Sequence, residues 1–233
     1  MGSTVLALVG ASWIALPGGH PPATVETSVQ VVEGNGSSAV FTWPVVMGEE
    51  GDPVVEAIND ALSWEAVTGE SLEETIEVFS RMQRGHTGSG FTVNHNAGGI
   101  LDITLRIEFL GAYPSTGYRH FCFDVSTGRS VRFSELLRPG GDETLAGLLD
   151  SVLQVNIATK AADGLLDPEM YDGHGFGVEN LESFSITGEG VWFHYDFGFP
   201  HVALAAEPEG ELFIPAESVI PLLLEVYAGE VAP

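Results

Sequence analysis

The segment from Leu101 to Phe109 constrains the fold more than any other stretch of the chain. Five apolar residues at odd positions alternate there with four polar residues, which is the period-two pattern of a strand with one buried and one solvated face. A second alternating run at 91–95 leads into the glycine-containing turn at 96–99, and a third strand pattern at 118–125 follows the loop at 111–117. Three strands joined by turn-sized connections predict an antiparallel meander.

The chain before this meander predicts a hairpin followed by two helices. Residues 25–31 and 39–46 favour strands, and the glycine-rich stretch at 33–38 between them favours a turn. Asp52 followed by Pro53 predicts a helix start, with an N-cap and a proline at the first helical position. Ser71 with Glu74 predicts a capping box at the start of the second helix.

The chain after the meander predicts a smaller set of elements. Asp142 is the expected cap of a helix whose apolar residues are Leu145, Leu148, Leu149, Val152 and Ile157. Residues 162–180 predict a long loop, 184–197 a hairpin turning at 187–190, 211–215 a short strand and 218–227 a final helix.

Helical and strand patterns are segregated along the chain, which predicts the α+β class. We expect mainly antiparallel sheets with helices packed on one side. A chain of 233 residues suits two small subdomains, which we place at residues 24–130 and 131–233.

Residues 4–16 form a short apolar run, and a segment rich in proline and glycine follows it at 17–22. The run is too short to span a membrane as a helix, and it has the length of the apolar part of an export signal, although it lacks a positively charged start. We therefore expect residues 1–23 to be a signal-peptide remnant, and no membrane insertion of the mature form.

The charge of the chain excludes nucleic acids as partners and favours basic ones. The chain carries 33 acidic and only 8 basic residues, for a net charge of −25. Such a field repels nucleic acids and attracts basic proteins or cations. Cys122 is the only cysteine, so no intramolecular disulfide can form. We expect a monomer without a cofactor.

Several short motifs in one order resemble a known family. They are NAGGILDITL (96–105), GAYP (111–114), FCFDVSTG (121–128), FSELL (133–137), FSIT (184–187), VWF (191–193) and FIP (213–215). Together with Asn59 they resemble the extracytoplasmic domains of unknown function in RsiV-type anti-sigma factors and PdaC-type peptidoglycan deacetylases. The resemblance spans roughly residues 24–227.

This resemblance implies a non-catalytic binding or sensor domain outside the cytoplasmic membrane, whose partner is a basic protein, lysozyme-like, or a component of the cell envelope. By position, it places partner contacts in two loops, at Tyr113, Pro114, Ser115, Phe199, Pro200 and His201. The chain departs from the family at the second loop, where a tyrosine-rich stretch is replaced by residues 197–205. A structural accessory domain is an alternative.

Enzymatic chemistry has weaker sequence support. His194 and Asp196 alternate on one strand face and form a conceivable acid–base pair, which would make the protein a hydrolase with a site assembled from distant residues. The face shared by His120, Cys122 and Asp124 could hold a metal, although Asp124 is better explained as fixing the turn at 126–128. An acidic loop could hold calcium, through Asp163, Asp167, Glu169, Asp172 and His174. We expect no metal and no catalytic residue.

Overall fold

The computed structural model describes residues 14, 16, 19–34 and 37–228. The chain divides after Val131 into two compact units, the N-terminal unit and the C-terminal unit. The structure is of the predicted α+β class, with two mostly antiparallel sheets and several helices. Most of the predicted leader at 1–23 lies outside the described residues. Within it, Ile14 is fully buried and the Leu16 amide donates to the Gly98 carbonyl at 2.5 Å.

The N-terminal unit contains a five-stranded sheet whose spatial order follows the chain. Its strands are β1 (Thr24–Glu33), β2 (Ser38–Met47), β3 (Gly85–Ala97), β4 (Ile100–Leu110) and β5 (Pro114–Asp124). The β1–β2 hairpin and the β3–β4–β5 meander are both antiparallel, as predicted. Strands β2 and β3 run parallel and pair only at Val40 and Phe41 of β2. Gly98 and Gly99 form the two-residue β3–β4 turn with φ of 60° and 83°, a geometry that favours glycine.

Three helices connect β2 to β3 and cover one face of this sheet. They are α1 (Pro53–Ala61), α2 (Trp64–Thr68) and α3 (Leu72–Met82). The Asp52 carboxylate accepts from the Val54 amide at 2.9 Å, and Ser71 and Glu74 form the predicted capping box. Helix and sheet side chains share the two cores of the unit, one around Ile58, Leu62, Leu101, Ile103, Leu105 and Phe123, the other around Phe41, Trp64 and Phe79.

Polar side chains hold the part of β2 that no third strand covers. Because β2 pairs with β3 at only two residues, most of its outer backbone groups need other partners. Asn59 accepts from the Val46 amide at 2.9 Å and donates to the Val46 carbonyl at 2.8 Å. Ser89 makes the corresponding pair of bonds with Thr42, both at 3.1 Å. These bonds tie α1 and β3 to β2.

The C-terminal unit contains a three-stranded antiparallel sheet and one long helix. The strands are β6 (Phe184–Ile186), β7 (Gly190–His194) and β8 (Glu211–Pro215), in that order. The helices are α4 (Phe133–Leu136), α5 (Gly141–Ala161) and α6 (Ala216–Val219), with 3₁₀ turns at Pro168–Tyr171, Val178–Glu182, His201–Ala206 and Ile220–Leu222. The buried residues of α5 include Leu145, Leu149, Leu153 and Ile157.

Three predictions for this unit were wrong in detail, and two of the apolar residues on α5 are exposed. Helix α5 is capped by Gly140 at φ 76°, so Asp142 lies in the first turn instead. Leu148 and Val152 are exposed on α5. The final helix ends early: after Leu222 the chain extends, and Leu223 bridges to Leu137. The loop at 162–180 contains two 3₁₀ turns.

Candidate functional site

The β4–β5 loop carries the first group of predicted partner contacts. Tyr113 lies in this loop and is 59% exposed, and Pro114 is the first residue of β5. Ser115 pairs with Phe109 of β4 and lines a cavity in the N-terminal unit. The structure therefore places these three residues on an accessible edge of the sheet, where an aromatic side chain could anchor a partner.

The second group lies beside an aromatic cluster in the C-terminal unit, formed by Tyr171, His174, Tyr195, Phe197 and Phe199. Phe197 packs between its neighbours, with ring centroids 4.9 Å from Tyr195 and 5.8 Å from Phe199. His174 lies 5.1 Å from Phe197 and 5.8 Å from Phe199, and its Nδ1 is 3.2 Å from the Tyr195 hydroxyl. Phe199 is therefore half-buried at the surface of the unit, and contacts with the rings of the cluster hold it in place.

Pro200 and His201 lead into a 3₁₀ turn that exposes apolar side chains. The turn His201–Ala206 buries Ala203 and Ala206, which are three residues apart and therefore on one side of a helix with three residues per turn. Val202 is 87% exposed and Leu204 is 48% exposed. We refer to Val202 and Leu204 as the exposed apolar pair. Exposed apolar side chains that form a contiguous patch mark interaction sites, and this pair is the candidate for such a patch in the C-terminal unit.

Carboxylates flank this surface. Burial, and then the nearby Asp196 charge, raise the pKa of the Glu207 carboxyl, while a Phe197 backbone bond and His174 oppose that rise. Asp196 accepts from the Gly198 amide at 2.7 Å, in a turn where Gly198 has φ 66°. An apolar pair next to acidic groups suits a partner that presents both apolar and basic side chains.

His194 and Asp196, the predicted acid–base pair, lie on different elements and bond to other groups. Strand β7 ends at His194, and Asp196 belongs to the turn that follows, where its carboxylate accepts from the Gly198 amide. The His194 Nε2 lies 3.2 Å from the Ser185 hydroxyl, and burial lowers the pKa of His194 to about 4. An imidazole with so low a pKa is a weak general base near neutral pH.

The face of His120 and Cys122 carries a buried polar network instead of a metal site. Asn94, the extra residue of a bulge in β3, donates to both Asp102 and Thr104 at 2.7 Å, and Thr104 lies 3.1 Å from His120 Nδ1. Burial and the Asp102 charge raise the pKa of the Cys122 thiol well above its usual value, so the thiol is not a reactive thiolate.

Asp124, on the same strand face, has the turn role proposed for it. Its carboxylate accepts from the amide and hydroxyl of Ser126 at 2.8 and 2.6 Å. Although partial burial opposes ionisation, the hydrogen bonds from Ser126 and Thr127 lower the pKa of this carboxyl. Gly128, with φ 73°, completes the turn.

The acidic loop between α5 and β6 has local structural roles. Asp167 caps a 3₁₀ turn by accepting from the Glu169 amide, Asp163 pairs with Lys160 at 3.6 Å, and His174 belongs to the aromatic cluster. Over the described part of the chain, no set of three or more His, Cys, Asp or Glu side chains is arranged to hold a metal ion. The same residues include no helix that is both long and apolar enough to cross a membrane.

Comparison with known proteins supports the fold alone. Two crystal structures of DUF3298 family proteins share it. The protein from Bacteroides fragilis matches with a TM-score of 0.55 and 14% identity, over 87% of this chain and 94% of its own. The protein from Pseudomonas aeruginosa matches with a TM-score of 0.53 and 16% identity, over 89% of this chain and 96% of its own. No protein-family profile matches the sequence, and no curated protein matches it.

Sequence reasoning missed two features of these surfaces. The exposed apolar pair lies on a 3₁₀ turn whose buried residues, Ala203 and Ala206, follow a period of three that neither a strand nor an α-helix pattern detects. Pro200 and these two small residues are a local signal for the turn. The cavity beside Ser115 depends on the register of β4 against β5, which no single segment reveals.

Proposed function

We propose that this protein is a non-catalytic binding domain that acts outside the cytoplasmic membrane and recognises a basic protein or a component of the cell envelope. The observation that carries the proposal is the surface of the C-terminal unit at Phe199–Ala206. There the exposed apolar pair stands beside the aromatic cluster and next to Asp196 and Glu207.

Charge supports a basic partner. With a net charge of −25, the protein speeds the approach of a cationic protein by long-range attraction, which salt weakens. The apolar and aromatic side chains then supply the short-range contacts, since removing apolar and aromatic surface from water favours association. The resemblance to RsiV-type and PdaC-type extracytoplasmic domains favours the same role, and the shared DUF3298 fold is consistent with it.

The β4–β5 loop is the second proposed contact. Tyr113 exposes its ring, and Pro114 and Ser115 continue into β5. We assign it a smaller share of the binding energy, because it presents the single ring of Tyr113, whereas the C-terminal surface combines the exposed apolar pair with the aromatic cluster.

Binding to lysozyme, used as a cationic probe protein, tests the proposal. We expect the association rate measured by biolayer interferometry to fall at least about tenfold between low salt and 0.3 M salt. Acetylated lysozyme, which has lost its lysine charges, is the matched control and should bind far more weakly. Salt-independent binding, or no binding of lysozyme and of basic envelope proteins at low salt, would contradict the proposal.

Substitutions at the proposed contacts, compared with a control on α5, test where the partner binds. Val202→Ser and Leu204→Ser should each weaken binding by about tenfold, as truncation of an interface anchor does, and Tyr113→Ser by less. Val155→Ser is the control, because Val155 is also an exposed valine of the C-terminal unit but lies on α5. If Val155→Ser reduces binding as much as Val202→Ser, the proposed surface is wrong.

A further inference from the structure

A cavity of about 250 Å³ opens on the helix-covered face of the N-terminal sheet. Its wall includes His86 of β3, Ile107 and Phe109 of β4, and Ser115, Gly117 and Arg119 of β5. The volume is below the roughly 300–1,000 Å³ of pockets for drug-sized ligands, so it suits a small molecule. The proposed partner surface at 199–206 does not use it.

Gly117 leaves room for this cavity. Ser115, Gly117 and Arg119 pair with Phe109, Ile107 and Leu105, so alternate residues of β5 point to the same face. A Cβ atom added at Gly117 would meet no other atom within 4 Å. A larger residue at this position would therefore project into open space between Ser115 and Arg119.

Arg119 provides an unpaired positive charge at the wall. Acidic residues outnumber basic ones by 33 to 8 in the chain, yet Arg119 forms no ion pair with any described residue. Within the described part of the chain, its one hydrogen bond runs from a guanidinium nitrogen to the Tyr118 carbonyl at 3.2 Å. A guanidinium has five N–H donors in a fork that matches a carboxylate, so most of them remain available.

His86 adds a second polar group whose bonding is incomplete. Its Nδ1 atom is buried and has no hydrogen-bond partner, and the Glu70 carboxylate oxygen is 3.5 Å away, beyond the usual length of such a bond. Trp64 and Phe109 pack edge-on against the imidazole, each with centroids 5.3 Å from it. The ring is therefore held in place at the cavity wall.

We propose that this cavity is a binding site for a small organic acid. The carboxylate of the ligand binds the free donors of Arg119, and its short apolar body packs against Ile107 and Phe109. The imidazole of His86, packed edge-on against Phe109, completes the wall on the side of β3.

NMR titration with N-acetyl-L-leucine tests the site, with N-acetyl-L-leucinamide as the uncharged probe of nearly the same shape. We expect the acid to shift the amide resonances of Ser115, Gly117 and Arg119, with a Kd of about 1 mM or tighter. The amide should bind at least about tenfold more weakly, since it loses a charge-assisted bond. Equal binding of the two probes, or no shift at these residues with about 10 mM acid, would overturn the proposal.

Three variants complete the test. Arg119→Gln should weaken binding of the acid by about tenfold or more, and Gly117→Val should abolish binding by filling the cavity in a strand that tolerates valine. Arg106→Gln is the matched control, because Arg106 is on the neighbouring strand, faces away from the cavity and pairs with Glu108 at 3.1 Å. Circular dichroism confirms that each variant is folded. If Arg106→Gln weakens binding as much as Arg119→Gln, or if Gly117→Val still binds, the site is not this cavity.

Discussion

The two units satisfy their backbone groups in different ways. In the N-terminal unit, β3, β4 and β5 pair over nearly their whole length, and paired side-chain bonds from Asn59 and Ser89 serve the groups that strands leave open on β2. In the C-terminal unit, the strands have only three to five residues, and long irregular segments are held by aromatic packing and 3₁₀ turns. Regular pairing makes a rigid scaffold, whereas irregular segments can display apolar groups to a partner.

If the C-terminal unit differs from the N-terminal unit only in how its backbone is held, its core should be packed as tightly. Phe123 in the N-terminal unit and Phe193 in the C-terminal unit are both fully buried. The ring of Phe193 packs against that of Phe133, with centroids 4.9 Å apart. We expect Phe123→Ala and Phe193→Ala each to lower the free energy of unfolding by about 3–5 kcal/mol, measured by urea denaturation. Phe109→Ala, at a partly exposed ring, is the control and should cost less than half as much. A Phe193→Ala loss no larger than that of the control would show a loose core in the C-terminal unit.

The second prediction concerns the side-chain bonds that replace strand pairing. Asn59→Ala should lower the free energy of unfolding by about 2 kcal/mol, because the amide and carbonyl of Val46 both lose their partner. The matched change in the other unit is Asn156→Ala, which removes one solvent-accessible bond to the Glu209 carbonyl and should cost within about 0.5 kcal/mol. Similar losses for the two variants in urea denaturation would contradict this difference between the units.

Acidification should weaken the fold through buried histidines. Burial lowers the pKa of His194 to about 4 from an unfolded value near 6.5, so between these values the unfolded chain binds a proton that the folded chain does not. The stability is therefore complete above about pH 6.5 and decreases as the pH falls toward 4. We expect His194 to contribute about 1–2 kcal/mol of this loss, after a discount for the partial exposure of its ring.

His194→Gln isolates that contribution. Between pH 7 and pH 4.5, the variant should lose less free energy of unfolding than the parent protein, because glutamine takes up no proton. Burial also lowers the pKa of His95 in the N-terminal unit, so His95→Gln should reduce the pH dependence in the same direction. An unchanged pH dependence in His194→Gln would show that its ring is protonated as easily in the folded protein as in the unfolded chain.

The smallest expected change in stability comes from the residues at the starts of α3 and α5. Ser71→Ala removes the capping box of α3 and should cost about 1 kcal/mol. Asp142→Ala should cost less, because α5 begins at Gly140 without a side-chain cap and Asp142 interacts only with the exposed first turn. Thermal unfolding followed by circular dichroism compares the two, and a larger loss for Asp142→Ala would restore Asp142 as the effective cap.

The same difference between the units explains what the sequence could predict. Alternation at Leu101–Phe109, the glycines at 98 and 99 and the cap at Ser71 are local signals, and the structure confirms the elements that they predict. The start of α5 was misplaced because Asp142 resembles a cap, while the conformation that begins the helix belongs to Gly140 at φ 76°. The expected final helix ends early because Leu223 bridges to Leu137, a contact that is distant in sequence.

The candidate surfaces divide in the same way. Tyr113, Pro114, Ser115, Phe199, Pro200 and His201 were placed by resemblance, and their role in binding stays a prediction. The exposed apolar pair and the wall formed by His86, Gly117 and Arg119 depend on a 3₁₀ turn and on strand register, and both are properties of the folded chain. The His194–Asp196 hypothesis assumed one continuous strand face, whereas β7 ends at His194, after which period-two alternation no longer applies.

We propose that the irregular C-terminal unit displays the partner-binding surface, and two-dimensional NMR of the labelled protein with unlabelled lysozyme at low salt locates the contacts residue by residue. We expect the amide signals of residues 199–206 to shift or broaden most, with a smaller effect at 113–115, and added salt to reverse both effects. Changes centred on the exposed stripe of α5 at Leu148, Val152 and Val155, or spread evenly over both units, would contradict it.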